Sequence, residues 1–174
     1  MSVTHPTSAE ACAHAYACER GVSARLYAAV RGLAAVVLRG WFRIKVTGAE
    51  HIPREGPAII APNHKNFLDP FFIGIATRRH VRYMAKAELL KGFRGWLFLR
   101  LGAFPVRRGG GDAQAIETAR TILNGGGVVV MFPEGTRVGV GAGLRRGGVC
   151  YGQVRNPSVV ACGCSPSLPV LPVD

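Results

Sequence analysis

Apolar positions along this chain change their period several times, and each change marks an element. Leu26, Val30, Leu33, Val37 and Trp41 recur at steps of three or four, the spacing that gathers side chains on one face of an α-helix. This predicts an amphipathic helix from about Val22 to Arg39, ended at Gly40, with its apolar face toward lipid or core. Ile44 and Val46 followed by Gly48 read as a short strand, and Pro53 to Pro57 as a turn. The unbroken run Ala58-Ile59-Ile60-Ala61 predicts a buried strand that stops at Pro62-Asn63-His64. Pro70 to Ala76 is apolar enough for a helix facing the core, with Asp69 as its N-cap and Pro70 as its first residue. Val81 to Met84 suits another strand, followed by a helix from near Ala87 to Leu101 and an extended piece at Ala103 to Val106. Asp112 then caps a helix carrying Ala115, Ile116, Ala119, Ile122 and Leu123 on one face. Gly125-Gly126-Gly127 terminates it, and Val128 to Phe132 follows as an apolar strand.

Strands alternating with helices predict an α/β fold: a mostly parallel sheet flanked by helices and preceded by the N-terminal amphipathic helix. Ligands are expected at the strand ends, where the loops gather. A chain of 174 residues fits one domain.

Charge adds a second layer. Lys and Arg number 22 against 10 Asp and Glu, a formal +12, which favours polyanionic partners or an anionic membrane surface. The cations concentrate between Arg78 and Arg108, where Phe93, Trp96, Leu97, Phe98, Leu101 and Phe104 interleave with them, as suits a lipid headgroup boundary. A basic helix with one buried face gives the same pattern. Arg25, Arg31 and Arg39 interrupt the most hydrophobic stretch, Val22 to Phe42, so it lacks the roughly 18 consecutive apolar residues of a spanning helix. The first 20 residues have no basic start followed by an apolar run, unlike a secretory signal. Cysteines 12, 18, 150, 162 and 164 are odd in number and irregular in spacing, which indicates neither a disulfide framework nor a zinc site and leaves a reducing cytosolic setting as the default.

Three polar segments lie at predicted strand ends: Asn63-His64-Lys65-Asn66-Phe67-Leu68-Asp69, Gly102-Ala103-Phe104-Pro105-Val106-Arg107-Arg108, and Phe132-Pro133-Glu134-Gly135-Thr136-Arg137. Together and in this order they resemble the glycerolipid acyltransferase family whose best-known members are the 1-acylglycerol-3-phosphate acyltransferases. The resemblance covers about Val22 to Arg146. It places an acyltransferase domain over 22–147, between a mobile leader at 1–21 and a divergent or truncated C-terminal segment at 148–174.

The resemblance implies transfer of a fatty acyl group from acyl-CoA or acyl carrier protein to the free hydroxyl of lysophosphatidate, giving phosphatidate. The carrier is then a co-substrate and no metal or other cofactor is expected. Acyl transfer from a thioester to an alcohol needs a base for the hydroxyl proton, and His64 is suited to that near neutral pH. The family motif assigns Asp69 to fixing the imidazole tautomer. Five positions along one helix lie about 140° apart at ~100° per residue, so the pairing requires His64 in the loop and Asp69 at the helix start. Taken singly, Asp69 reads as a plain N-cap and His64 as a loop histidine bonded to backbone; the ordered set of motifs favours the dyad. The resemblance assigns Arg108 to the acceptor phosphate and Glu134, Gly135, Thr136 and Arg137 to acceptor binding. A double Arg is otherwise a solvated turn. No G-x-S-x-G elbow is present, which favours direct attack by the acceptor. Gly109-Gly110-Gly111 lacks the Walker pattern and reads as a turn.

The expected partners are a membrane phospholipid surface, the lysophospholipid acceptor and the acyl donor, with no nucleic acid. The expected location is the cytoplasmic face of the membrane, peripheral or monotopic. The competing readings are a non-catalytic basic protein that binds membrane or nucleic acid, and an inactive remnant of the family. Beyond about Gly147 the family likeness fades, although Leu168-Pro169-Val170-Leu171-Pro172 ends the chain in an apolar, proline-spaced run. A frame shift that truncates the chain is the expectation for this region.

Overall fold

The computed structural model describes residues 7–42, 46, 49, 52–62, 64, 66–107 and 112–132. Over them run α1 (Ser8–Glu19), α2 (Ala24–Phe42), β1 (Ala58–Ile60), α3 (Asp69–Ala76) and β2 (Val81–Lys86). A 3-10 turn (Ala87–Leu90), α4 (Gly92–Arg100), β3 (Ala103–Val106), α5 (Ala113–Asn124) and β4 (Val128–Val130) complete the series. The four strands form one parallel sheet in the order β1-β4-β2-β3. Parallel neighbours need a crossover connection, and α3, α4 and α5 supply those crossovers. The α/β architecture behind an N-terminal amphipathic helix is therefore as the sequence pattern predicts.

Side chains alternate across each strand, and both faces of the sheet are covered. Ile59, Phe104, Val129 and Met131 join Ala17 of α1 and Ala115, Ala119, Ile122 and Leu123 of α5 in one buried cluster. Ala58, Ile60, Val81, Val128 and Val130 join Tyr27 of α2 and Ile73 of α3 in the other. This double burial explains why β1 and β4 read as unbroken apolar runs. In register Ile60 pairs with Val130, so the chains leaving β1 and β4 emerge side by side at the carboxyl edge.

Several expectations are corrected. Residues Ser8–Glu19, expected within a mobile leader, form a helix closed by a capping box between Thr7 and Glu10, with Ala13, His14 and Ala17 buried. Its small alanines let it approach α5 closely. The N-terminal helix runs through Gly40 to Phe42; an interior glycine costs only about 1 kcal/mol. The N-cap of α3 is Leu68, with Asp69 as the first helical residue. The helix expected from Ala87 to Leu101 is broken at Lys91, whose backbone is extended, and Gly92 follows at φ +62°, a conformation that favours glycine. The last strand stops at Val130 instead of Phe132. Ile44 and all residues after Phe132 lie outside the described residues.

Among the described residues no single helix is long and apolar enough to cross a membrane; α1 and α2 together meet the length and composition test but are bent by 91°.

Candidate active site

The loop between β1 and α3 carries the site. His64 lies four residues beyond Ile60, and its Nδ1 is 3.0 Å from Oδ2 of Asp69. The same oxygen accepts the backbone N–H of Asn66 at 2.8 Å. Asn66 folds the loop further: its side-chain oxygen accepts from the Leu68 N–H at 3.2 Å and its carbonyl from the Asp69 N–H at 3.3 Å. These short-range bonds are what Asn offers in a turn. They present the carboxylate to the histidine from the first turn of α3, where the helix dipole favours negative charge. The geometry expected for His64 and Asp69 is thus the one observed, loop histidine against helix-start carboxylate.

A carboxylate oxygen accepts hydrogen bonds, so this contact suits the His64 tautomer that carries its proton on Nδ1 and a lone pair on Nε2. The ring is held on a second side: it stacks on Phe132 at 4.1 Å between centroids and 27° between planes. Phe132 is two residues past β4 and reaches His64 because β1 and β4 are paired neighbours. The His64 and Asp69 side chains are 13% and 17% exposed, so both are mostly buried yet reach the surface.

Beside the dyad opens a cavity of about 190 Å³. Val30 and Ala34 of α2, Phe71 and Ile75 of α3, and Met84 and Ala103 of the sheet give it apolar walls. Lys86 and Arg31 place cations among its lining residues. Tyr27, Gly74 and Tyr83 also line it, and the Tyr83 hydroxyl donates to the Pro70 carbonyl at 2.8 Å. Burial pushes the Tyr83 phenol well above its ordinary range and that of Tyr27 upward, so both stay neutral. The cavity is thus apolar along most of its walls and has His64 among its lining residues.

Among the described residues no cluster of His, Cys, Asp or Glu suited to a metal ion is present. The described cysteines, Cys12 and Cys18, are exposed on α1, which packs against the other face of the sheet. Arg108, Glu134, Gly135, Thr136 and Arg137, expected to bind the acceptor, lie outside the described residues, as do Asn63 and Lys65. Sequence reasoning missed the loop-tying role of Asn66 and the stack of Phe132. Asn66 carried a signal, an Asx residue just before a helix start; the Phe132 contact depends on strand order, which no local pattern contains.

The acyltransferase family model matches residues 43–148, spanning β1 to β4 and the dyad. The chain is 32% identical over 127 residues to a 1-acyl-sn-glycerol-3-phosphate acyltransferase of Bacillus subtilis, covering 71% of this chain and 64% of that protein. It is 34% identical over 122 residues to the protein of that name in Streptococcus pneumoniae, covering 64% of this chain and 44% of that one. A 1-acyl-sn-glycerol-3-phosphate acyltransferase alpha of Ovis aries is 36% identical over 101 residues, 55% of this chain and 34% of the relative. The chain therefore spans under two thirds of the length of these relatives. No solved structure gives a significant match. This chain belongs to the acyltransferase family.

Proposed function

We propose that the chain transfers a fatty acyl group from an acyl-CoA or acyl carrier protein thioester to the free hydroxyl of lysophosphatidate, giving phosphatidate. The observation that carries this reading is the His64–Asp69 pair, 3.0 Å apart, at the edge of an apolar cavity that His64 itself lines. His64 Nε2 takes the proton of the acceptor hydroxyl as its oxygen bonds to the thioester carbonyl carbon. Asp69 stabilises the imidazolium that forms. The tetrahedral adduct then expels the thiolate, breaking the carbon–sulfur bond, and the proton on His64 passes to the sulfur. The acyl chain lies along the apolar walls, and Arg108, Glu134, Gly135, Thr136 and Arg137 take the phosphate-bearing acceptor, as the family resemblance suggests.

The same reading places the chain peripherally on a phospholipid surface. Leu33, Val36, Val37 and Trp41 leave an outward apolar stripe on α2, with Trp41 82% exposed, and Phe93 and Trp96 stack on each other on α4. The Arg100 guanidinium sits 4.5 Å over the Trp96 ring. Cations beside exposed aromatic rings suit the headgroup layer of an anionic membrane.

The test is product identification. The full chain, with lysophosphatidate in phospholipid vesicles and either palmitoyl-CoA or palmitoyl acyl carrier protein, is expected to form phosphatidate detectable by mass spectrometry. A folded chain that consumes neither donor in the presence of acceptor would refute the reading.

A further inference from the structure

The arginines of α2 face different ways. Arg25 and Arg39 are exposed, as a solvated helix face requires, whereas Arg31 is half-buried and lines the cavity beside His64. Tyr27, Val30 and Ala34 line the same space and Leu38 is buried, so the inner stripe of α2 recurs at steps of three and four and is otherwise uncharged. A cation turned inward on such a stripe gives up hydration and calls for an anion to meet it. No described carboxylate supplies that anion. None of the residues lining the cavity is an acid. Lys86, the other cation of the lining, pairs with Glu88 at 3.2 Å, and Asp69 is engaged by His64 at 3.0 Å. Arg31 has no ion pair among the described residues.

The neighbours of Arg31 lie close to the dyad. Burial pushes the Tyr27 phenol up, and Arg31, one turn further along α2, is among the groups that pull it the other way. A Cβ on Gly74 would lie 3.2 Å from the Tyr83 hydroxyl and 3.5 Å from that of Tyr27. The Tyr83 hydroxyl in turn donates at 2.8 Å to the carbonyl of Pro70, the residue after Asp69. The phenols beside Arg31 therefore sit within the first two turns of the helix that Asp69 opens. In lysophosphatidate the free hydroxyl and the phosphate are borne on adjacent carbons, only a few ångström apart, so an acceptor whose hydroxyl is at His64 keeps its phosphate at this same cavity. The phosphates of an acyl carrier stand instead at the far end of a long pantetheine arm, well outside a space of about 190 Å³.

We propose that Arg31 is a binding residue for the acceptor phosphate, supplied by α2 from outside the segment 43–148 that the family model matches. This rests on the acyl-transfer reading given above. The guanidinium presents parallel N–H donors to phosphate oxygens and holds the acceptor with its hydroxyl toward His64. It also makes the phosphate a requirement, because an acceptor without one leaves the cation unpaired among apolar walls.

Arg31→Gln and Arg31→Lys are compared with the parent as full chains in vesicles, with palmitoyl-CoA as donor and either lysophosphatidate or monoacylglycerol, the same acceptor without its phosphate. Arg31→Gln, at matched Tm, is expected to raise the KM for lysophosphatidate on the order of tenfold and to shrink the preference for lysophosphatidate over monoacylglycerol by a similar factor, with the palmitoyl-CoA KM within about twofold. Arg31→Lys, which keeps the charge, should recover part of that preference. An undiminished preference in Arg31→Gln, or an equal rise in the palmitoyl-CoA KM, would overturn the proposal. A parent without acceptor-dependent thiol release would refute the acyl-transfer reading, and calorimetry of short-chain lysophosphatidate without donor then judges the phosphate site alone. Weaker binding by Arg31→Gln than by the parent is the expected result there, and equal binding overturns the site.

Discussion

The ring of Phe132 lies 4.1 Å from that of His64 and nearly parallel to it, so the proposed base is held by a residue from a different strand as well as by Asp69. An aromatic pair of this kind contributes about 0.5–1.5 kcal/mol beyond its buried area. Phe132→Ala should therefore lower kcat by about threefold to tenfold with the fold intact. Phe132→Leu, which restores bulk without the stacked ring, should recover part of the loss in the same steady-state assay.

Asp69→Asn keeps the shape of the carboxylate and an acceptor for the Asn66 N–H but removes the charge that stabilises the imidazolium. The expected outcome is a fall in kcat on the order of 10²-fold or more with KM values and Tm little changed. Equal activity in the two proteins would show that the carboxylate acts only as a loop tie.

Gly74 sits on α3 where an added Cβ would lie 3.2 Å from the Tyr83 hydroxyl and 3.5 Å from that of Tyr27. A side chain there has to share the cavity with whatever occupies it. Gly74→Val should shift donor preference toward shorter chains, read as the ratio of kcat/KM for octanoyl-CoA to that for palmitoyl-CoA. A ratio equal to that of the parent would place the acyl chain elsewhere.

The docking of α1 should be acid-sensitive in two steps. Burial lowers the affinity of His14 for a proton below its ordinary 6.5, against the opposing pull of Asp112 and Glu10; Arg107 adds to the lowering, and Thr118 of α5 faces the ring. The unfolded chain then binds more protons than the folded one below about that pH, so stability rises with pH through this window and falls as acid is added. Glu10, depressed from 4.5 to about 2, contributes stability that is present above about 4.5 and lost as pH falls toward 2. Thermal melts between pH 4.5 and 7.5, values chosen to bracket the histidine window, should show Tm rising with pH, and His14→Gln should flatten that rise.

Much of the sheet was legible because its strands are buried on both faces and so appear as unbroken apolar runs such as Ala58-Ile59-Ile60 and Val128-Val129-Val130. The dyad was legible because a loop histidine, a helix-start aspartate and two further motifs stand in a fixed order. Helix α1 was not, since it buries alanines and His14 where a periodic stripe of large apolar residues would have announced it. Its signal was the capping box of Thr7 and Glu10, a pattern of polar residues. The break at Lys91 was carried by Gly92 at positive φ, against an apolar periodicity that ran straight through it. The cavity gathers residues from α2, α3, β2 and the end of β4, and such an assembly is set by strand order, which local pattern does not encode.

The central claim is that His64 is the base of an acyl transfer to lysophosphatidate. It is tested most directly by thiol release from palmitoyl-CoA, with and without lysophosphatidate in vesicles, for the parent chain and for His64→Ala of matched Tm. Acceptor-dependent release in the parent that is abolished in His64→Ala is the predicted result. Acceptor-dependent release that persists undiminished in His64→Ala would contradict it.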